Sequence, residues 1–162
     1  MRSTSKPKYP TISDIVAVND HEFLVYERDG KGLGDGSTAA FKRLYHIDLA
    51  GAQEVGGISG EGSLAPRAVA KVLFLDIVQV LNAHGIASSD IPAKLEGVSF
   101  GPDVVVGGVN KHTLFVANDN DFIGTVTDSL HPNGVANPNL FFVFSVDASD
   151  LPTYVAQHLA KK

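Results

Sequence analysis

The chain has 162 residues, 44% of them hydrophobic and 19% charged, with a formal net charge of −5 and no cysteine. That length can bury a single-domain core, and the composition is globular and not disordered. Disulfides, thiolate zinc sites and cysteine nucleophiles are excluded, and an acidic balance with scattered cations argues against nucleic acid or an anionic membrane as partner.

No apolar run reaches the roughly 18 residues of a membrane helix. The opening "MRSTSKPKYP" is basic and lacks an apolar h-region, so it is not a secretory signal; residues 1–9 read as a disordered tail before a domain over 10–162. Strand-length runs follow at 12–18 ("ISDIVAV") and 22–28 ("EFLVYER"), with Asn19-Asp20 supplying a tight hairpin turn. The glycine-rich "GKGLGDG" (30–36) lacks the Gly-Lys-Ser/Thr ending of a phosphate-binding loop and reads as a flexible connection. A strand at 43–49 ("RLYHIDL") leads to a second flexible loop, "GGISGEG" (56–62). Pro66 suits a first helical turn, and "KVLFLDI" (71–77) reads as a strand running into a short helix that Gly85 ends. Further strands are expected at 95–100 ("LEGVSF", closed by Pro102), 113–118 ("TLFVAN") and 140–146 ("LFFVFSV"), the last after a turn-laden loop at 131–139. Residues 151–160 read as helical.

Several strands carry apolar groups on both faces, as in Phe23 to Tyr26 and Leu140 to Phe144, so both faces need cover. Too few helices are available to sandwich a parallel sheet, which leaves stacked antiparallel sheets. An internal echo fits. "ISDIVAV…EFLVYERD…RLYHIDL" is followed by "LEGVSFG…TLFVANDND…FFVFSVD" at an offset of about 83 residues at the first strand and 99 at the last. The expected fold class is all-β, with stacked antiparallel sheets of β-propeller type (about two blades of an incomplete propeller) and short helices.

Three patterns could carry chemistry. Gly97-Val98-Ser99-Phe100-Gly101 matches the nucleophile elbow of serine hydrolases, but it lies inside a strand with no helix following, so it reads as a strand serine flanked by glycines for close packing. The strand ends Glu27-Arg28-Asp29 and Asn118-Asp119-Asn120-Asp121 concentrate hard oxygen ligands, of which calcium takes about 6–8. As a contiguous calcium loop the second fails, because Ile123 and Leu130 fall where ligands belong. Either the two ends assemble a site, or their side chains cap turns by binding nearby backbone N–H groups. Glu96 and Asp14 stand early in two corresponding strands and need a partner there, for which Arg28 is available. The six histidines show no ligand spacing; His46 reads as a strand residue and the others as exposed.

These stretches, together with "FKRLYHIDL", "KVLFLDI" and "IPAKLEGVSFGPD" in this order, resemble the phytase-like family, described as having esterase-like activity. The resemblance covers about residues 10–147, lies to the C-terminal part of the family's longer domains, and implies a β-propeller-like fold in exported proteins, hence a periplasmic or secreted full-length protein. Missing N-terminal blades or self-association would then complete the circle. It implies a small-molecule ester or phosphoester substrate at the propeller channel, with a divalent cation, calcium, polarising the ester and activating water. The candidates are Glu27, Arg28 and Glu96 for catalysis and Asp29, Asp119 and Asp121 for the metal. The rival expectation is a non-catalytic binding or scaffold module.

Overall fold

The computed structural model describes residues 10–157. The expected tail over 1–9 and the last residues of the expected C-terminal helix lie outside them. All strand pairing between named strands is antiparallel. A first sheet has the order β1 (Thr11–Ala17), β2 (Glu22–Arg28), β3 (Lys42–Asp48), β4 (Lys71–Asp76), each strand beside its sequence neighbour. Beyond it come the one-turn helix α1 (Glu61–Leu64), which precedes β4, and α2 (Ile77–Ala83), which follows it directly. A second sheet has the order β5 (Leu95–Val106), β6 (Val109–Asn118), β9 (Phe141–Asp147); β7 (Thr125–Val126) and β8 (Val135–Ala136) form a small ribbon between β6 and β9. The two halves of the sequence echo are therefore two antiparallel meanders. Stacked all-β architecture with short helices is what the sequence led us to expect; a closed circle of blades is not formed by the described residues.

Alternation sets the inward faces. Leu24 and Tyr26 of β2, Leu44 of β3, Leu114 and Val116 of β6 and Phe144 of β9 meet in one shared core, closed by Ile77, Val78 and Leu81 of α2. Burying each large apolar side chain is worth about 1.5–3 kcal/mol. Asp76 caps α2 by accepting from the Gln79 N–H at 3.1 Å, and Gly85, at φ 84°, ends it. The β1–β2 turn is built by Asn19, whose Oδ1 accepts from the His21 and Glu22 N–H groups at 3.0 and 2.9 Å.

Four expectations need correction. Pro102 does not close β5: the strand runs on to Val106, because a register shift between Gly101 and Val104 lets the ladder pass a residue that has no N–H to donate. Residues 56–62 are not wholly loop, since α1 begins there at Glu61, and a 3-10 turn, Ala65–Arg67, follows it. Residues 151–157 are not helical. They form a strap pinned to the β1–β2 turn, with the Val155 N–H donating to the Val18 carbonyl at 2.8 Å and the Asn19 Nδ2 to the Thr153 carbonyl at 3.2 Å. Finally, His112 is not exposed; it is buried, bonded through Nδ1 to Asp103 at 2.8 Å and packed edge-on to Tyr154. No helix among the described residues is long and apolar enough to cross a membrane.

Candidate functional site

The two meanders meet along β1 and β5, and each strand has a bulge there. In β1 the bulge falls at Ser13, between the paired Ile12 and Asp14; in β5 it falls at Glu96, between Leu95 and Gly97. Bulges re-aim side chains out of the ladder, and these two aim at one partner. Arg28, at the end of β2, donates Nε to Ser13 Oγ at 2.7 Å and Nη2 to Glu96, while Nη1 reaches the carbonyls of Asp29 and Ala93 at 3.2 and 3.3 Å. Asp14 adds a second tie, its Oδ2 accepting from the Val98 N–H of β5 at 2.7 Å.

Beneath Arg28 lies Lys42, with 0% of its side chain exposed. Its ammonium donates to the Ala93 carbonyl at 3.0 Å and to Asp29 Oδ1 at 3.3 Å. Burial pushes the Lys42 pKa below its ordinary value, against the pull of Asp29. Asp29 itself clamps the loop that follows, accepting from the Ala40 and Phe41 N–H groups at 3.1 and 3.0 Å. Arg28, Asp29, Lys42 and Glu96 thus form a polar knot that seals the sheet junction.

A cleft of about 280 Å³ opens above this knot. Its polar lining includes Arg28, Asp35, Lys94, Asp119 and Asp121, and Leu33, Pro92, Ile123 and Val126 supply apolar lining. Leu33 is held there by a parallel bridge to Pro92, its N–H donating to the Ile91 carbonyl at 2.8 Å. Gly32 permits the approach: at φ 129° a Cβ would stand 2.2 Å from the Ile91 carbonyl oxygen. Lys94 meets both carboxylate oxygens of Asp121 at 2.7 and 2.6 Å, and this pairing holds its ammonium above the usual lysine range. Asp119 Oδ1 accepts from the Asp121 N–H at 2.9 Å and Asn120 Oδ1 from the Phe122 N–H at 3.1 Å, two successive side-chain-capped turns. They hold Asp121 and Phe122 at φ 52° and 59°, and leave the Phe122 side chain fully exposed on the rim.

Gly34, part of the cleft lining, is fixed from outside by Asp128 and His131. The Asp128 carboxylate accepts from the Gly34 N–H at 3.0 Å and from the His131 N–H and ring, and His131 Nε2 meets Asp90 at 3.2 Å. Burial would raise the Asp128 pKa, but these hydrogen bonds outweigh it and hold it at about 2. Asp128 and Asp90 raise that of His131.

The sequence candidates divide accordingly. Arg28, Asp119 and Asp121 line the cleft, while Glu96 and Asp29 sit in the knot behind it. Glu27 is not brought to the cleft: alternation turns it to the outer face of the first sheet, where it pairs with Lys71 at 2.6 Å. Asp29, Asp119 and Asp121 are not gathered as a ligand set, and no three His, Asp or Glu side chains among the described residues are arranged to hold a metal. Ser99 is exposed on β5 and donates to the Phe100 carbonyl at 3.1 Å, with no histidine among the described residues bonded to it. Gly101 is there for close packing, because a Cβ would stand 2.2 Å from the Phe115 ring. Sequence reading missed Lys42, Lys94 and Asp35. For Lys42 a signal existed: alternation in β3 puts it on the face of Leu44, opposite Arg43.

A family model described as phytase-like, esterase-like activity of phytase, matches residues 2–122, about three quarters of the chain. The match takes in the first meander, β5, β6 and the Asp119–Asp121 turn, and stops before β9, short of the extent expected from the sequence. No curated protein and no solved structure matches significantly.

Proposed function

The chain belongs to the phytase-like family, and from that premise we propose that it hydrolyses an ester or phosphoester in the cleft between its two meanders. The observation that carries this reading is the convergence of Arg28, Lys94, Asp119 and Asp121 on one cleft that Leu33, Pro92, Ile123 and Val126 also line. Asp119 Oδ2 receives no hydrogen bond from the described residues, so this exposed carboxylate is the group free to take a proton from an attacking water. Lys94 offers positive charge to the oxygen that becomes anionic. The expected divalent cation finds no prepared donor set here, since Asp29 is engaged by backbone N–H groups and Lys42, and Asp121 by Lys94. Water activation therefore falls to Asp119.

The test is turnover of p-nitrophenyl acetate and p-nitrophenyl phosphate. Asp119→Asn is expected to lower kcat by about 10²–10⁴-fold, the contribution of a positioned general base. Ser99→Ala is expected to leave turnover unchanged. Equal turnover in wild type and Asp119→Asn sinks the assignment.

A second reading, a non-catalytic binding module, has its own support in Phe122. An aromatic side chain held out from a left-handed backbone is uncommon, and at the rim of the cleft it suits an apolar anchor for a ligand. Binding without hydrolysis of either ester would favour the module.

A further inference from the structure

We infer that the open edge of β9 is a dimerisation surface, to which a second copy of this chain adds its own β9 antiparallel, with Val143 facing Val143. The inference concerns the outer rim of the second meander and is independent of what the cleft does.

Four long strands stand at sheet edges, β1 and β4 in the first sheet and β5 and β9 in the second. A bare edge is a template for further pairing, and folded proteins blunt theirs with bulges, prolines and charges. β1 has its bulge at Ser13 and carries Asp14, and β4 begins with Lys71 and bulges at Phe74. β5 is interrupted at Glu96 and again at Pro102 and Asp103, and faces β1 at the sheet junction. β9 has none of these protections. It pairs with β6 over seven consecutive residues without a register shift, and Phe141 to Val146 contain no proline, glycine or charge.

The backbone of that edge calls for a strand. The Leu140 carbonyl accepts from the Asn118 N–H at 3.3 Å, so the alternation of the ladder turns Phe142, Phe144 and Val146 towards β6. It turns the N–H and C=O groups of Phe141, Val143 and Ser145 outwards, where no described residue bonds them. The side chains fit the same kind of partner. Phe141 and Val143 are 68% and 54% exposed on the outer face. On the other side of the strand, an apolar groove of about 580 Å³ lies between β9 and α2, lined by Leu75, Val80, Ile86, Phe142 and Phe144. A strand that covers both must be apolar on both of its faces.

β9 is itself such a strand, and that selects the occupant. Edge pairing needs a bare edge on each partner, and β9 is the one this chain offers among its described residues. With Val143 opposite Val143, Phe141 falls opposite Ser145 and Phe142 opposite Phe144. A bulky outer side chain then meets a small one, and the outward-facing backbone groups can exchange about six hydrogen bonds. Asp147 falls opposite Asn139 and keeps its own pairing with Lys111 at 2.6 Å, so like charges are not brought face to face. Such pairing is isologous: it consumes both edges and closes at the dimer. Seven residues give an edge of about 24 Å, a small interface, so an affinity in the micromolar range is expected.

Sedimentation equilibrium of the full chain between about 1 and 200 µM brackets that affinity. Wild type should pass from the mass of one chain to that of two and no further. Val143→Lys sets two ammonium groups against each other at the centre and should weaken association at least about tenfold. Because Val143 is half-exposed the fold should tolerate the change, which circular dichroism checks. Val72→Lys, at an exposed position of β4, should dimerise as wild type does. A second measurement needs no variant. In hydrogen exchange, the amides of Phe141, Val143 and Ser145 should slow as wild type is concentrated, and those of β4 should not. A wild type that stays single at every concentration overturns the inference and leaves the edge to a strand of another protein. So does growth beyond two chains, dimerisation of Val143→Lys at wild-type strength, an equal loss in Val72→Lys, or edge amides blind to concentration.

Discussion

In the first meander the bulge of β1 lifts Ser13 out of the ladder, and in the second the bulge of β5 lifts out Glu96 at the corresponding pairing step. Counting outward from those bulges, Arg28 at the end of β2 corresponds to Asp119 beyond β6, and Asp29 to Asn120. The same positions are put to different use. In the first meander the polar strand end turns inward, where Arg28, Asp29 and the fully buried Lys42 tie the sheets together and only Arg28 also reaches the cleft. In the second it turns outward, where Asp119, Asp121 and Lys94 face the cleft. The outer faces differ too. Lys71 pairs with Glu27 and lies over Tyr45, and Arg43 pairs with Asp76 and lies over Phe41, whereas β9 has no fourth strand beside it and leaves Phe141 and Val143 exposed. Duplicated geometry has thus been divided into a scaffold half and a half that meets the solvent.

The sharpest way to break that comparison is to truncate the lysine on each side. Lys42→Ala should cost about 3 kcal/mol in urea denaturation, because it strips a counter-charge from Asp29 in the buried knot and leaves the Ala93 carbonyl short of a donor. Lys94→Ala, at an exposed pair, should cost less than about 1 kcal/mol. Equal costs would erase the distinction between the two halves. A smaller effect is expected at the glycines of β5. Gly101→Ala must move the Phe115 ring and should cost about 1–3 kcal/mol, while at Gly97 a Cβ meets only Ala117, at 3.9 Å, and Gly97→Ala should be close to neutral.

The gentlest probe is pH. Folding raises the His131 pKa, so its stabilisation is fully present below the unfolded value of about 6.5 and is lost as pH rises through the higher folded value. Asp128 behaves oppositely: its contribution is present above about 3.9 and is lost only as pH falls towards about 2. The melting temperature of wild type should therefore exceed that of His131→Gln at pH 6, with the gap narrowing by pH 9. A gap that stays constant would mean that His131 holds the cleft lining by shape and not by charge.

Much of this fold could be read from the chain, because strand-length runs of Val, Ile, Phe and Tyr between Gly, Asn and Asp carry their own boundaries. Arg28 as partner of Glu96 was also legible, since a carboxylate in an apolar strand needs a counter-charge. The failures have physical causes. Pro102 reads as a strand end, yet a bulge lets an edge strand pass it. "LPTYVAQ" has helical composition, but docking of Tyr154 onto Phe100 and of Val155 onto Val18 outweighs local propensity. Asp119 and Asp121 stand out in the sequence, but their pairing with Lys94 was not legible, because Lys94 lies in a segment with no pattern of its own.

The strap over residues 151–157 bears on how the molecule assembles. Within each meander the paired strands are joined by at most the segments 49–70 and 119–140, whereas the bonds from Val155 to Val18 and from Asn19 to Thr153 join opposite ends of the described chain. Loop closure over such a span carries a high entropic cost until both meanders already stand together. The strap is therefore expected to close late, after the folding transition state. Weakening it should leave the refolding rate nearly unchanged and quicken unfolding, so a contact far from the cleft governs how long the folded molecule lasts.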